Sequence, residues 1–366
     1  MSGISTTPHR PTGRARPAIV PGTAEREFQA HTPCDHPPLL YVCGGGHSGS
    51  TLLDLLLGEH PGITSVGEIS VLNRYLEADE YPCSCGRVPN RCPFWQEVME
   101  SLATGKAPSG PPDTLVNAGT DEDARASITA ARSRAMPLDM RREHAVTLSL
   151  KRQYLTSGAY LTLTGDDGKD ERRLRRLAPN IMQRMDDTHR LFDAIRRING
   201  TPVVLDSSKH AYRLRLLRAS RPESVFCVFL VRDGRARTFS DMRRDGLDAE
   251  SAARRWVKVN MRTRRMIAPI PPSHRIDVTY EQLCREPRET LERICASVGL
   301  PASPELLGMQ FEDVHNIGGN RARFGKLDAV REDTQWRKKM SPADLAIFED
   351  IAGPLNRELL GEHYRY

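Results

Sequence analysis

Residues 39–51 read Leu39-Leu-Tyr-Val-Cys43-Gly44-Gly45-Gly46-His47-Ser48-Gly49-Ser50-Thr51, an apolar run that breaks into glycines and hydroxyls. Leu52-Leu-Asp-Leu-Leu-Leu57 follows with the composition of a helix. Strand, glycine loop and helix in that order aim backbone N–H groups and a positive helix end at one spot, which makes an anion site of the phosphate type. Working outward, two further strand signals end in polar residues. Pro202-Val-Val-Leu205 runs into Asp206-Ser-Ser-Lys209, and the continuous apolar run Ser224–Val231 stops at Arg232-Asp-Gly-Arg235. A strand buried on both faces of a parallel sheet has that unbroken apolar pattern. A short strand over Arg275–Thr279 precedes a helix expected over Tyr280–Val298. Strands alternating with helices predict a parallel α/β sheet whose ligands sit at the carboxyl ends of its strands.

The chain has 366 residues, 39% hydrophobic and 27% charged, enough to bury one large α/β domain or two smaller ones. A net charge of +6 suits an anionic ligand. Its basic residues lack the aromatic interleaving of a single-strand binder, so no nucleic-acid partner is expected. No apolar run approaches the roughly 18 residues of a membrane span. Residues 1–37 are rich in Pro, Thr and Arg without a signal-peptide core, and are expected to form a disordered arm. The expected location is the cytoplasm, with the eight cysteines reduced.

Three cysteines cluster in Cys83-Ser-Cys85-Gly-Arg-Val-Pro-Asn-Arg-Cys92. Thiolates so close suit zinc, but no fourth ligand lies nearby and the paired C-x2-C spacing is absent. A structural loop with free thiols or an opportunistic bridge is therefore favoured, and no metal is assigned. Residues 103–123 are punctuated like a surface loop, 124–177 are arginine-rich with mixed helical patterning, and Ile181, Met185, Thr188, Phe192 and Ile195 recur at helical spacing up to Asn199-Gly200.

Gly44-x4-Gly49-Ser50-Thr51 nearly matches the loop of nucleotide hydrolases, but Ser50 occupies the position of the required lysine. Arg232, directly after a buried strand, and Ser240, eight residues on, resolve the mismatch. Arginine offers a fixed fork of donors for phosphate and serine adds a hydroxyl. With His47-Ser48-Gly49-Ser50-Thr51, this pair resembles the two donor motifs of the sulfotransferases that use 3′-phosphoadenosine 5′-phosphosulfate (PAPS). Leu230-Val-Arg-Asp-Gly-Arg-Ala236 is similar to the Golgi-type and bacterial members. Further echoes are His60-Pro61, Gly67-Glu68, Asp206–Lys209, Thr279–Leu283, Gly319-Asn320, Arg323 and Trp336.

The resemblance implies a three-layer, P-loop-like parallel sheet flanked by helices over 38–366, with a helical insertion at about 100–200 covering the acceptor side. It implies PAPS as sulfuryl donor without a required metal. The implied acceptor is a small-molecule, lipid or carbohydrate hydroxyl, an amine being the lesser alternative. Gly46, His47, Ser48, Gly49, Ser50 and Thr51 would hold the 5′-phosphosulfate, and Arg232 and Ser240 the 3′-phosphate. Arg323, in a basic segment with Arg321 and Lys326, would close over that phosphate. Glu68 would be the general base, with His210 the second candidate. His47 departs from the family, which places lysine or arginine there. A histidine donates either as imidazolium or as a neutral N–H. Lys209 would then supply the missing charge, or bound phosphates would raise the pKa of His47, or turnover would be slow. The rival readings are a P-loop-type small-molecule kinase, which lacks its lysine here, and a non-catalytic nucleotide-binding protein. Oligomeric state is not readable from these residues.

Overall fold

The computed structural model describes residues 36–77, 81–104, 166–309, 311, 314–324 and 327–364. The expected arm over 1–37, apart from residues 36 and 37, lies outside the described residues, as does the 105–165 portion of the expected insertion. Five parallel strands, β1 (Leu39–Gly44), β2 (Ile63–Gly67), β3 (Val203–Lys209), β4 (Val225–Val231) and β5 (Arg275–Thr279), form one sheet in the order β2-β3-β1-β4-β5. The chain moves to opposite sides of β1 after its early strands. The crevice at the carboxyl ends of β3, β1 and β4 is therefore a topological switch point, where open α/β sheets bind ligands.

Alternate residues of the central strands enter two separate cores. Tyr41, Cys43, Val204, Cys227 and Phe229 join one, and Leu40, Val42, Val203, Leu205, Val228 and Leu230 the other. Each buried aliphatic or aromatic side chain is worth about 1.5–3 kcal/mol, so the unbroken apolar run of β4 is the largest local reason for a doubly covered sheet. The second core is covered by α1 (Ser50–Leu57), and the first by α3 (Pro93–Thr104), which follows the short α2 (Leu72–Glu77). The three-layer P-loop-like architecture is the one expected.

Two helices precede β3: α4 (Asp167–Leu177) and α5 (Pro179–Asn199), the latter ending at Gly200 in the left-handed conformation, as its Asn-Gly sequence predicted. After β3, α6 (Ala211–Ser220) carries three arginines that are almost completely buried. Arg213 pairs with Asp206 of β3, while Arg215 and Arg218 reach Asp170 at 2.8 Å and Asp167 at 2.7 Å on α4. These pairs fasten the inserted helices to the sheet with a defined register, the best-attested use of buried ion pairs.

Three local expectations change. Ile63–Gly67 is a strand that the sequence reading passed over, although its β-branched Ile-Thr-Ser-Val run carries the signal. β3 runs on through Ser207 and Ser208 to Lys209, because buried partners satisfy its polar residues: Ser207 donates to Asp54 and Ser208 to Asp206. The helix expected over 280–298 is two, α9 (Tyr280–Arg285) and α10 (Pro287–Ser297), because Pro287 has no N–H to continue the first ladder. Before them, β4 leads into α7 (Gly234–Asp245) and α8 (Ala249–Ile267). The chain closes with α11 (Trp336–Lys339) and α12 (Pro342–Leu360).

Candidate active site

Gly44 ends β1 with φ +152, and a Cβ there would lie 2.2 Å from the Leu230 carbonyl oxygen of the neighbouring strand. The chain then folds back through Gly45–Ser48, pinned by the Ser48 hydroxyl donating to the Gly45 carbonyl at 2.7 Å. Gly49, at φ +93, caps α1, and a Cβ there would strike the Tyr280 ring at 2.4 Å. Only glycine fits this corner, where the helix start meets the ring. His47, Gly49, Ser50 and Thr51 line a cavity of about 890 Å³ at the switch point, large enough for a nucleotide. Gly46 and Ser48 face a smaller recess beside Arg237, whose guanidinium would meet a Cβ on Gly46 at 3.8 Å.

The opposite wall is built by Arg232 and Ser240, which the carboxyl end of β4 and the first turns of α7 place in the same cavity. Arg232 stacks on Tyr280, 4.6 Å from the ring centre, and donates to the His47 carbonyl at 3.2 Å and to the Asp333 carboxylate at 3.1 Å. Tyr280 in turn donates to the Arg331 carbonyl and accepts the Asp333 N–H, each at 3.2 Å. Tyr280 is thus both a wall of the cavity and the platform of Arg232. Its neighbour Glu281 is buried and accepts the Asp233 N–H at 3.0 Å. Arg244, Arg331 and Asp333 also line the cavity and were missed in the sequence. Arg244 lies one helical turn beyond Ser240 on α7, a spacing that could have revealed it. Arg331 and Asp333 had no comparable signal.

The floor holds Glu68 and Lys209, whose side chains are in direct contact and mostly buried. Glu68 follows β2, and its N–H donates to the Ile317 carbonyl at 2.7 Å. Lys209 reaches it from the end of β3 in the left-handed conformation, φ +71. The segment after Ile317 folds over α1, where the Asn320 N–H donates to the Thr51 hydroxyl at 3.0 Å. Two candidates stand elsewhere. His210 caps α6 beyond the cavity lining, its pKa pushed down to about 4 by burial and by Arg213 and Lys209. Arg323 is turned into its own loop, donating to the Gly318 and Gly319 carbonyls and to Pro82 at 3.0 Å. Those carbonyls take the fork of donors expected to meet phosphate. Lys326 lies outside the described residues.

His47 is half-buried with φ +58, and its pKa is pushed down to about 4 by burial and by the nearby Arg237 and Arg244 guanidinium groups. At neutral pH it is an uncharged imidazole among cations. Lys209, Arg232, Arg244 and Arg331 all line the cavity, so an anionic ligand meets fixed positive charge there.

The sequence model described as the sulfotransferase family matches residues 38–304. The chain belongs to the sulfotransferase family. Similar solved structures include the sulfotransferase domain from the curacin biosynthetic pathway, 16% identical over 87% of this chain and 97% of that one, with a TM-score of 0.47. The sulfotransferase domain of the Synechococcus PCC 7002 olefin synthase is 17% identical over 88% and 97%, with a TM-score of 0.47. Sulfotransferase STF9 from Mycobacterium avium is 14% identical over 90% and 79%, with a TM-score of 0.39. No curated protein sequence matches the chain significantly.

Proposed function

We propose that this sulfotransferase takes its sulfuryl group from PAPS and passes it to the hydroxyl of a small-molecule, lipid or carbohydrate acceptor. The observation that carries the reading is the convergence of the 47–51 loop, Arg232, Ser240 and the Glu68–Lys209 pair on one cavity. In this reading the backbone amides of Gly46–Thr51, with the Ser50 and Thr51 hydroxyls, hold the 5′-phosphosulfate, as a helix start does for anions. Arg232 and Ser240 take the 3′-phosphate, which replaces Asp333 as the partner of the guanidinium.

The acceptor oxygen attacks sulfur, and the bond from sulfur to the bridging oxygen of the phosphosulfate breaks. The electron pair leaves with 3′,5′-adenosine bisphosphate. The acceptor proton passes to Glu68, whose second carboxylate oxygen is available to the hydroxyl while Lys209 holds the first. Lys209 also places a positive charge where negative charge builds on the transferred group, the kind of fixed electrostatic help that needs no reorganisation. A P-loop kinase is disfavoured by Ser50 in the lysine position.

The test is transfer of labelled sulfate from PAPS into extract metabolites by wild type and by Glu68→Gln. Losing a general base costs about 10²–10⁴-fold, so the variant should bind 3′,5′-adenosine bisphosphate normally and lose transfer to that degree. Undiminished transfer by Glu68→Gln removes Glu68 from the role of base. Labelled product from no acceptor at all removes PAPS chemistry.

A further inference from the structure

The sequence offered three close cysteines and no fourth ligand. The fold supplies one: His315, 223 positions beyond Cys92, brings its Nδ1 to 3.3 Å from the Cys92 sulfur and 3.8 Å from that of Cys83. The Cys85 and Cys92 sulfurs are 3.6 Å apart, and all four ligand atoms lie within 4.8 Å of one another. A tetrahedral zinc with Zn–S near 2.3 Å and Zn–N near 2.0 Å has edges of about 3.8 Å between sulfurs and about 3.5 Å from sulfur to nitrogen. The three separations of 3.3, 3.6 and 3.8 Å lie close to those edges, and the whole set of four atoms is compact enough to close on one ion. They do not suit a disulfide, which requires sulfurs at about 2.0 Å.

We propose that Cys83, Cys85, Cys92 and His315 form a structural zinc site that clamps the 82–92 loop to the segment bearing the cavity's roof. The surroundings are built to hold the ligands in place. Cys83 donates its N–H to the Arg87 carbonyl and Gly86 returns one to Cys83, making the tight turn that turns the first two sulfurs the same way. The His315 ring stacks on Phe94 at 4.8 Å between centres, and the Trp95 indole donates to the His315 carbonyl at 3.1 Å. The Ser84 N–H and hydroxyl both donate to the Asn316 carbonyl, at 3.0 and 3.1 Å. Two segments remote in sequence are thereby joined around one point, which is what a closed four-ligand zinc site does in small loops. Binding releases the three thiol protons and leaves a complex of charge −1, with a neutral imidazole as the fourth ligand.

The clamp bears directly on the cavity. Ile317, two residues after the histidine, pairs with Gly67 at the end of β2 and accepts the Glu68 N–H. Arg323 ties the same segment back to Pro82, next to Cys83. The metal would hold the 314–320 segment against β2 and leave the chemistry to the residues of the cavity.

Metal analysis of the purified full chain tests this without any activity measurement, so its outcome is independent of the sulfuryl-transfer reading. The chain should carry about one zinc, lost in Cys92→Ser and His315→Ala and kept in a Cys295→Ser control. Because His315→Ala could unfold the loop, His315→Cys provides the rescue: it completes a four-thiolate set and should retain the metal. Cobalt(II) exchanged into wild type should give the visible absorption of a tetrahedral thiolate site. Wild-type chain that takes up no zinc or cobalt, a disulfide among residues 83, 85 and 92 found by mass spectrometry, or full zinc in His315→Ala would each overturn the proposal.

Discussion

His47 stands where the donor motif it resembles carries lysine or arginine, and the charge and burial around it set its protonation state. Burial and two guanidinium groups hold its pKa near 4 in the free protein, so it contributes a neutral N–H at pH 7. Fixed cations are already in place around it. Bound phosphates bring negative charge beside the ring and favour the imidazolium, so the pKa of the complex rises above that of the free protein. Binding of 3′,5′-adenosine bisphosphate near pH 5–6 should therefore take up a proton, seen as a dependence of the calorimetric heat on the ionisation enthalpy of the buffer. His47→Asn should abolish the part of that uptake due to the ring. The same uptake in the variant would show that His47 remains neutral in the complex. For turnover, His47→Arg should retain transfer, while His47→Ala should lower it more than it lowers nucleotide affinity. His47 and Ser50 could be read from sequence because the loop that presents them is one contiguous stretch. The fate of Arg323 could not, since its partners Gly318, Gly319 and Pro82 are brought together only by the fold.

At the scale of elements, polar side chains buried between strands and helices decide how the cavity walls meet. Asp54 of α1 accepts from Ser65 of β2 at 2.9 Å and from Ser207 of β3 at 2.5 Å, joining three elements beneath the loop. Burial pushes its carboxyl up to about 7, against the opposing pull of the two serine hydrogen bonds. A folded-state value above the ordinary carboxyl value of about 3.9 means that the folded protein holds a proton the unfolded chain has released. The contribution of Asp54 is thus full below about pH 4 and declines as pH rises toward 7. Asp54→Asn, which cannot ionise, should gain in melting temperature relative to wild type as pH is raised through that interval. A constant difference across pH 4–7 would mean that Asp54 titrates normally. This triad explains why the polar Asp206-Ser-Ser-Lys209 stretch, legible in the sequence as a strand end, continues the strand in the fold. The period-two pattern cannot show that a serine has a buried carboxylate to bond. The strand Ile63–Gly67 escaped for a related reason, since its five residues carry two hydroxyls.

Across the whole molecule, alternating strands and helices in the sequence were sufficient to define a parallel sheet and four of its five strands, because each of those strand ends is a local composition change. What they could not define was closure. His315 meets the cysteine loop, Asp333 meets Arg232, and Asp167 and Asp170 meet the arginines of α6, each across long stretches of chain. The net charge of +6 gives the same incomplete view: it favours an anionic ligand but does not show that Lys209, Arg232 and Arg244 share one cavity. Among the described residues no helix is long and apolar enough to cross a membrane.

If PAPS is the donor, this cavity distinguishes a 3′-phosphorylated adenosine nucleotide from an ordinary one. A ligand that binds only the native state raises the melting temperature, and saturation at about 100 times Kd is worth about 2.7 kcal/mol. The decisive measurement is the melting temperature of the full chain with 3′,5′-adenosine bisphosphate, ADP or ATP at equal concentration. The predicted result is a clear rise with the bisphosphate, little with the other two, and loss of the preference in Arg232→Ala. A larger rise with ATP, or no rise with any of the three, would contradict it.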